Sequence, residues 1–196
     1  MRKIDHEKII DLMLYIANRN DTEIGFKKLL KLIYLSDRLH LRRYGRTIST
    51  DFYSAMKAGP VASETYDKCK QIAGTKINFG ENSNLSSFFE RGSKYYMIKP
   101  IKKPNLEKFS KSEIDIINEI LKEFGDKTGD QLSNITHEYF EWKKYETLLE
   151  KTKTSFLIDF KDFFEEEENG TIFKMTSMQL NAIKELFLED NELQIY

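Results

Sequence analysis

The sequence predicts a mainly α-helical protein, a single-domain helical bundle around a buried central helix, with a small β-hairpin. Its 196 residues suit one domain of ordinary size. Hydrophobic residues make up 40% of the chain and include 14 Phe and 10 Tyr, enough to build a core. Apolar residues recur at spacings of three and four along much of the chain, which is typical of amphipathic helices. Only 9 Gly and 3 Pro exclude a collagen-like or linker-like protein, and a net charge of -1 with many aromatic residues excludes a disordered one.

Two helices are predicted in the first 45 residues. A stripe containing Ile9, Leu12 and Ile16 predicts a helix over 5–19. A second helix is predicted over Phe26–Tyr44, and it is apolar over so much of its girth that we expect it to be buried. Gly45 follows it, where a left-handed C-cap is usual.

The middle of the chain predicts less regular structure. Residues 48–56 show no clear period and are compatible with an extended connection or a short helix. Pro60 suits the first position of a helix because its missing amide hydrogen is not needed there, so a helix over 60–71 is predicted. Aromatic runs on both sides of Gly92 predict the small β-hairpin, over 88–98.

Capping signals organise the last part of the chain. Ser110 and Glu113 form a capping box before a helix that ends near Gly125, and a shorter helix is predicted over 129–136. Thr176 and Gln179 form a second capping box at the start of a final helix over 175–188. With no internal repeat or linker, we predict a domain over 1–150 and a C-terminal extension over 151–196 packed on the same core.

The charge distribution is uneven. Residues 1–104 carry a net charge of +9 and residues 105–196 a net charge of -10. Such a split can dock one half of a molecule on the other or steer a charged partner. The candidate partner-binding residues are therefore two charged groups, one basic and one acidic: Arg38, Arg42, Arg43 and Arg46, and Glu165, Glu166, Glu167 and Glu168. For the basic group, nucleic acid, an acidic protein surface and a simply solvated helix face all remain open.

The sequence contains no pattern typical of an enzyme, a metal site or a cofactor site. Cys69 is the single cysteine, which excludes a disulfide within the chain and a zinc site with paired thiolates. His6, His40 and His137 lack metal-ligand spacing, and no glycine-rich phosphate loop is present. A charged N-terminus and the lack of any run of about 18 apolar residues predict a cytoplasmic protein without a signal peptide or membrane span.

Asp37 is the most informative single carboxylate. It lies near the buried flank of the predicted central helix, where an unpaired carboxylate is costly. We expect it to pair with an arginine or with backbone amides and to anchor the loop after Gly45.

Three segments carry a family resemblance. The run KLLKLIYLSDRLHLRRYGRTI (28–48) and the run AMKAGPV (55–61) resemble the first signature of the Panacea domain family. That signature is a K-L-hydrophobic-Y-x-x-D helix, a Y/G-R-x-I segment and an A-x-x-x-G-P-V element. The stretch 125–142, with GDKT, LSNITH and a following Trp, is similar to the second signature. The resemblance covers about 5–145 and implies a structural role for its signature residues, Tyr34, Asp37, Gly45, Gly59, Pro60, His137 and Trp142.

The resemblance implies a function without catalysis. Panacea domains are the antitoxin half of bacterial and phage toxin–antitoxin systems, and members neutralise unrelated toxins, usually by direct binding. Some, of the SocA type, instead deliver the toxin to the ClpXP protease, and related chains of the GepA type are phage-associated. We therefore expect an antitoxin that binds a toxin encoded beside it. A proteolytic adaptor is the second hypothesis and a DNA-binding regulator the third, and a homo-oligomer remains open.

Overall fold

The computed structural model describes residues 3–20, 22–75, 84–152, 154–166 and 171–192. These residues are mainly helical with a small β component, as predicted. The helices are α1 (His6–Ala17), α2 (Phe26–Tyr44), α3 (Ser63–Ile72), α4 (Lys111–Phe124), α5 (Gly129–His137), α6 (Phe140–Lys143), α7 (Glu146–Lys151) and α8 (Ser177–Glu192). The strands are β1 (Ile24–Gly25), β2 (Tyr53–Met56), β3 (Gly59–Ala62), β4 (Phe89–Arg91), β5 (Met97–Pro100) and β6 (Phe156–Leu157). None of the helices in these described ranges is long and apolar enough to cross a membrane.

Helix α2 is buried along most of its length, and α1, α3, α4, α5 and α8 all pack against it. Its bounds are those that the apolar pattern predicts. Gly45 ends the helix with a φ of +71° and donates its N–H to the Leu41 carbonyl oxygen at 2.8 Å, which confirms the left-handed C-cap.

Two small antiparallel sheets flank the helices, with strand orders β1-β5-β4 and β3-β2-β6. Strands β4 and β5 form the predicted hairpin. The prediction of a helix from Pro60 is wrong, because Pro60 lies in β3 opposite Ala55. Helix α3 begins instead at Ser63, where the Asp51 carboxylate accepts hydrogen bonds from the amides of Glu64 (3.0 Å) and Thr65 (2.9 Å).

The C-terminal segment contributes side chains to the same buried cluster as the rest of the chain. Phe163, Phe164 and Phe173 are buried in that cluster, around a short 3₁₀ helix over Phe160–Phe164. Helix α8 begins at the predicted capping box, where the backbone N–H of Gln179 donates to the Thr176 hydroxyl oxygen at 3.3 Å. It packs on α2 and on the 3₁₀ helix, and its Ile183 and Phe187 lie beside Gly45 at the C-terminal end of α2.

Candidate functional site

Asp37 anchors the loop that follows α2. One carboxylate oxygen accepts the backbone amides of Ile48 (2.7 Å) and Ser49 (2.9 Å). The other accepts the hydroxyl groups of Ser49 and, at 2.6 Å, of Tyr53 in β2. The expectation that Asp37 pairs with backbone amides and holds the loop after Gly45 is therefore confirmed. Burial raises the pKa of Asp37 from 3.8 to about 6. The four hydrogen bonds to its carboxylate lower the pKa, but by less than burial raises it.

We expect Asp37 to make stability fall as the pH rises. The folded state keeps a proton between pH 3.8 and about 6 that the unfolded state releases, so this stabilisation is complete below 3.8 and lost as the pH rises through 6. Asp37→Asn keeps the oxygen that accepts both amides, and its NH₂ can donate to the two hydroxyls. Between about pH 4 and pH 7, urea denaturation should show the wild type losing about 2 kcal/mol relative to Asp37→Asn. Parallel pH profiles of the two proteins would contradict this.

A buried ion pair joins α2 to α6. The Arg38 Nε donates to a Glu141 carboxylate oxygen at 2.7 Å, and the Tyr34 hydroxyl donates to the same oxygen. The Arg38 guanidinium also lies over the ring of Tyr139, 3.8 Å from its centroid. Burial, and secondly the Glu141 carboxylate, raise the pKa of Tyr34 well above 10. Tyr34 therefore acts as a neutral hydrogen-bond donor. Together with Arg38 it links α2 to α6, which lies more than 100 residues later in the chain.

Lys31, one turn before Tyr34, reaches the tip of the β2–β3 hairpin, which comprises residues 56–60. Its Nζ donates to the Pro60 carbonyl oxygen at 2.7 Å, and the side chain is 1% exposed. Gly59 has a φ of +98°, and a Cβ built on it would lie 2.5 Å from the Lys31 Nζ. Burial lowers the pKa of Lys31 well below 10.5. Sequence reasoning missed this residue, although its spacing from Tyr34 places both on one side of α2.

Two more contacts hold the hairpin tip from the other side. The Ser133 hydroxyl donates to the Ala58 carbonyl oxygen at 2.9 Å, and the Trp142 Nε1 donates to the Met56 carbonyl oxygen at 2.8 Å. The His137 ring stacks on Trp142, with 3.8 Å between ring centroids and 10° between planes. The signature residues of two distant segments thus meet at this tip: Gly59 and Pro60 from the first, His137 and Trp142 from the second. Two other signature residues, Asp37 and Gly45, lie towards the other end of α2.

A cavity of about 720 Å³ opens beside the hairpin tip. It lies between the first turns of α2, the tip and the loop of the β4–β5 hairpin. Its lining is mostly apolar but includes three lysines. The lining residues are Phe26, Lys27, Leu30, Lys31, Met56, Lys57, Ala58, Val61, Tyr66, Tyr96, Thr154 and Ser155. The geometry is that of a concave surface with one wall supported by the hydrogen bonds to the hairpin tip.

The segments that meet here are those of a known family. A family model described as antitoxin SocA-like, Panacea domain, matches residues 29–143. The chain belongs to this family. The Panacea domain so matched runs from α2 to α6 and contains both partners of each hydrogen bond at Asp37, Glu141 and the hairpin tip. No curated protein and no solved structure matches the chain.

Two of the arginines predicted to contact a partner lie inside the Panacea domain's core. Arg38 is 1% exposed and bonded to Glu141, and Arg42 is 0% exposed. The Arg42 guanidinium donates to the carbonyl oxygens of Phe163 (2.6 Å), Glu165 (2.7 Å) and Phe173 (3.0 Å). The structure thus corrects the prediction: Arg38 binds Glu141 of α6, Arg42 binds the backbone of the C-terminal segment, and neither side chain offers a surface to a partner.

Other basic side chains pair across the two oppositely charged halves. Arg43 makes a bidentate ion pair with Glu119, in which its two terminal nitrogens lie 2.6 and 2.8 Å from the two carboxylate oxygens. The Lys8 Nζ lies 2.9 Å from a Glu113 carboxylate oxygen. The charge asymmetry therefore contributes to docking one half of the molecule on the other.

Of the remaining candidate residues, Arg46, Glu165 and Glu166 are exposed. Glu167 and Glu168 lie outside the described residues. Arg42, in the last turn of α2, holds the Glu165 backbone, so one basic and one acidic candidate group lie at the same end of that helix. Of these two groups, Arg46, Glu165 and Glu166 are the described residues that remain able to contact a partner.

Burial shifts the pKa of two further groups of the Panacea domain, Cys69 and His40. Burial raises the pKa of the Cys69 thiol, so this residue is a poor nucleophile. His40 contacts the Arg46 carbonyl oxygen at 2.7 Å, and burial lowers its pKa. Within the described part of the chain, no group of three or more His, Cys, Asp or Glu side chains is placed to hold a metal ion.

Proposed function

We propose that this chain is an antitoxin that neutralises a toxin encoded beside it by direct protein–protein binding, with no chemistry of its own. The observation that carries the proposal is the family match over residues 29–143. Those residues build the network of buried and partly buried hydrogen bonds that supports the hairpin tip and its cavity. A surface held in place before binding loses little conformational entropy when a partner docks, which favours tight inhibition.

The test is growth of cells that express the neighbouring gene, with and without this chain, followed by co-purification. We expect toxicity of the neighbouring gene alone, rescue by the chain, and a stable 1:1 or 2:2 complex. Toxicity without rescue, or rescue without a complex, would contradict neutralisation by direct binding.

A proteolytic adaptor is the second candidate, and the SocA-like description of the matched family favours it over a DNA-binding regulator. It predicts that rescue disappears in a host that lacks the ClpXP protease, whereas direct inhibition survives there. Toxin levels in the two hosts, followed by immunoblot, separate these outcomes. A DNA-binding regulator would be retained on DNA with an affinity that falls steeply with salt. Because Arg38 and Arg42 are buried and Arg43 is paired with Glu119, we expect no such retention.

The acidic group is an alternative docking surface, which would suit a basic toxin. If it binds the toxin, the double charge reversal Glu165→Lys with Glu166→Lys is expected to lower the association rate and to weaken its salt dependence, since long-range attraction is lost. Stopped-flow association at two salt concentrations measures this. An unchanged association rate would exclude the acidic group as the docking surface.

A further inference from the structure

We propose that the cavity beside the hairpin tip is the toxin-binding site, and that it takes an apolar side chain flanked by a carboxylate from the toxin. This inference rests on the proposed function and names the surface and the chemistry of the partner segment. Three observations carry it: the shape of the cavity, the exposed aromatic ring at its rim, and the sign of its charge.

The shape suits a large side chain. Phe26, Leu30, Met56, Val61 and Tyr66 supply apolar lining, and the volume of about 720 Å³ lies within the range usual for ligand pockets. A fully enclosed aromatic or aliphatic side chain contributes much of the affinity at protein interfaces, because its burial removes a large apolar area from water.

The rim carries an exposed aromatic ring held in position. Tyr96 is 61% exposed and packs edge-on against Phe26, with 5.7 Å between ring centroids. Its carbonyl oxygen accepts the Phe26 amide at 2.9 Å, which fixes the hairpin loop to the start of α2. The neighbouring Tyr95 is 46% exposed, and its ring centroid lies 4.4 Å from that of Tyr96. Exposed tyrosines beside an apolar cavity are typical of residues that dominate binding energy.

The charge selects an anionic neighbour. The lining contains Lys27, Lys31 and Lys57 and no carboxylate. Lys27 pairs with the exposed Asp130 at 2.6 Å, whereas Lys57 is exposed and has no ion pair within the described part of the chain. A carboxylate beside the inserted side chain would pair with Lys57. It would also favour the charged form of Lys31, which burial disfavours.

The backbone that carries Lys57 is held in a preformed position. Lys57 lies between Met56 and Ala58, and the carbonyl oxygens of both neighbours accept hydrogen bonds, from Trp142 and Ser133. The loss of backbone entropy on binding is correspondingly small. The signature residues of the family thus support this surface from behind without touching the toxin themselves.

Two charge reversals test the site on the full chain. Lys57→Glu changes the cavity, and Lys122→Glu makes the same change at an exposed lysine of α4 that does not line the cavity. Lys122 lies one turn after Glu119, which pairs with Arg43 in the last turn of α2. Binding to the purified product of the neighbouring gene is measured by calorimetry, after thermal melts show that both variants fold. We expect Lys57→Glu to weaken binding at least tenfold and Lys122→Glu to change it less than threefold. Wild-type affinity of Lys57→Glu would overturn the proposal.

Photo-crosslinking in the co-purified complex tests the chemistry of the partner. A benzophenone amino acid replaces Lys57 in one variant and Leu186 in another; Leu186 is 56% exposed on α8, which packs at the far end of α2. We expect crosslinks to the toxin from position 57, to a segment with an apolar residue next to Asp or Glu, and few from position 186. Crosslinks from position 186 with none from 57, or crosslinks from 57 to a segment without a carboxylate, would overturn it. A complex with unaffected Lys57→Glu contradicts the cavity alone, whereas a wild type that neither rescues nor binds contradicts the proposed function.

Discussion

Replacing Glu141 with alanine is expected to lower the free energy of unfolding by about 3–5 kcal/mol. Glu141 is 0% exposed and accepts hydrogen bonds from both Arg38 and Tyr34. Alanine would remove the carboxylate that pairs with the buried guanidinium, and the loss of a buried charge partner is among the most destabilising single changes. Urea denaturation followed by circular dichroism measures the effect.

Glu138→Ala is the matched control. Glu138 lies three residues earlier, is 73% exposed and pairs with Lys143 at 3.1 Å. Because water screens such a pair, its loss should change stability by less than about 1 kcal/mol. If Glu141→Ala cost no more than this control, the ion pair would not hold α6 to α2.

A double replacement distinguishes the effect of charge from that of packing. In Arg38→Met with Glu141→Leu, both charges are removed and most of the volume is kept. We expect the double variant to be more stable than Glu141→Ala alone, because both charges of the pair leave the interior together. A double variant less stable than the single one would show that the hydrogen-bond geometry of the pair matters more than its charge.

Replacing Gly59 with alanine is expected to lower the free energy of unfolding by about 3 kcal/mol or more. Its φ of +98° is strained for any residue with a side chain, and a new Cβ would lie 2.5 Å from the Lys31 Nζ and 2.9 Å from the Thr136 Oγ1. Lys31 cannot move aside at low cost, since its buried Nζ would lose the Pro60 carbonyl oxygen.

Gly74→Ala separates backbone strain from the clash. Gly74 also has a positive φ, of +74°, but a Cβ there would meet nothing within 4 Å. We expect this control to cost only about 1–2 kcal/mol, the strain of the left-handed conformation. If both variants lost the same free energy of unfolding, the clash of a Cβ at Gly59 with Lys31 and Thr136 would contribute nothing. Loss of toxin binding in Gly59→Ala at a temperature where it remains folded would further indicate that the hairpin tip is part of the interface.

The sequence by itself determined the local features of this protein. The bounds of α2, the cap at Gly45 and the box at Ser110 and Glu113 all depend on residues within about one helical turn of one another, so their patterns are readable along the chain. The family signatures were readable for the same reason, since each is a short run with fixed internal spacing.

Only the tertiary structure decided which charged side chains face water. The spacing of Arg38 and Arg42 on α2 is compatible with an exposed basic face, yet Arg38 meets Glu141, 103 residues away, and Arg42 meets Phe173, 131 residues away. Likewise, the start of α3 depends on Asp51 and not on Pro60. The cavity is formed by segments from residue 26 to residue 155. Long-range partners leave no periodic trace in the residues they join, and that is why burial and the candidate binding surface became visible only in the folded chain.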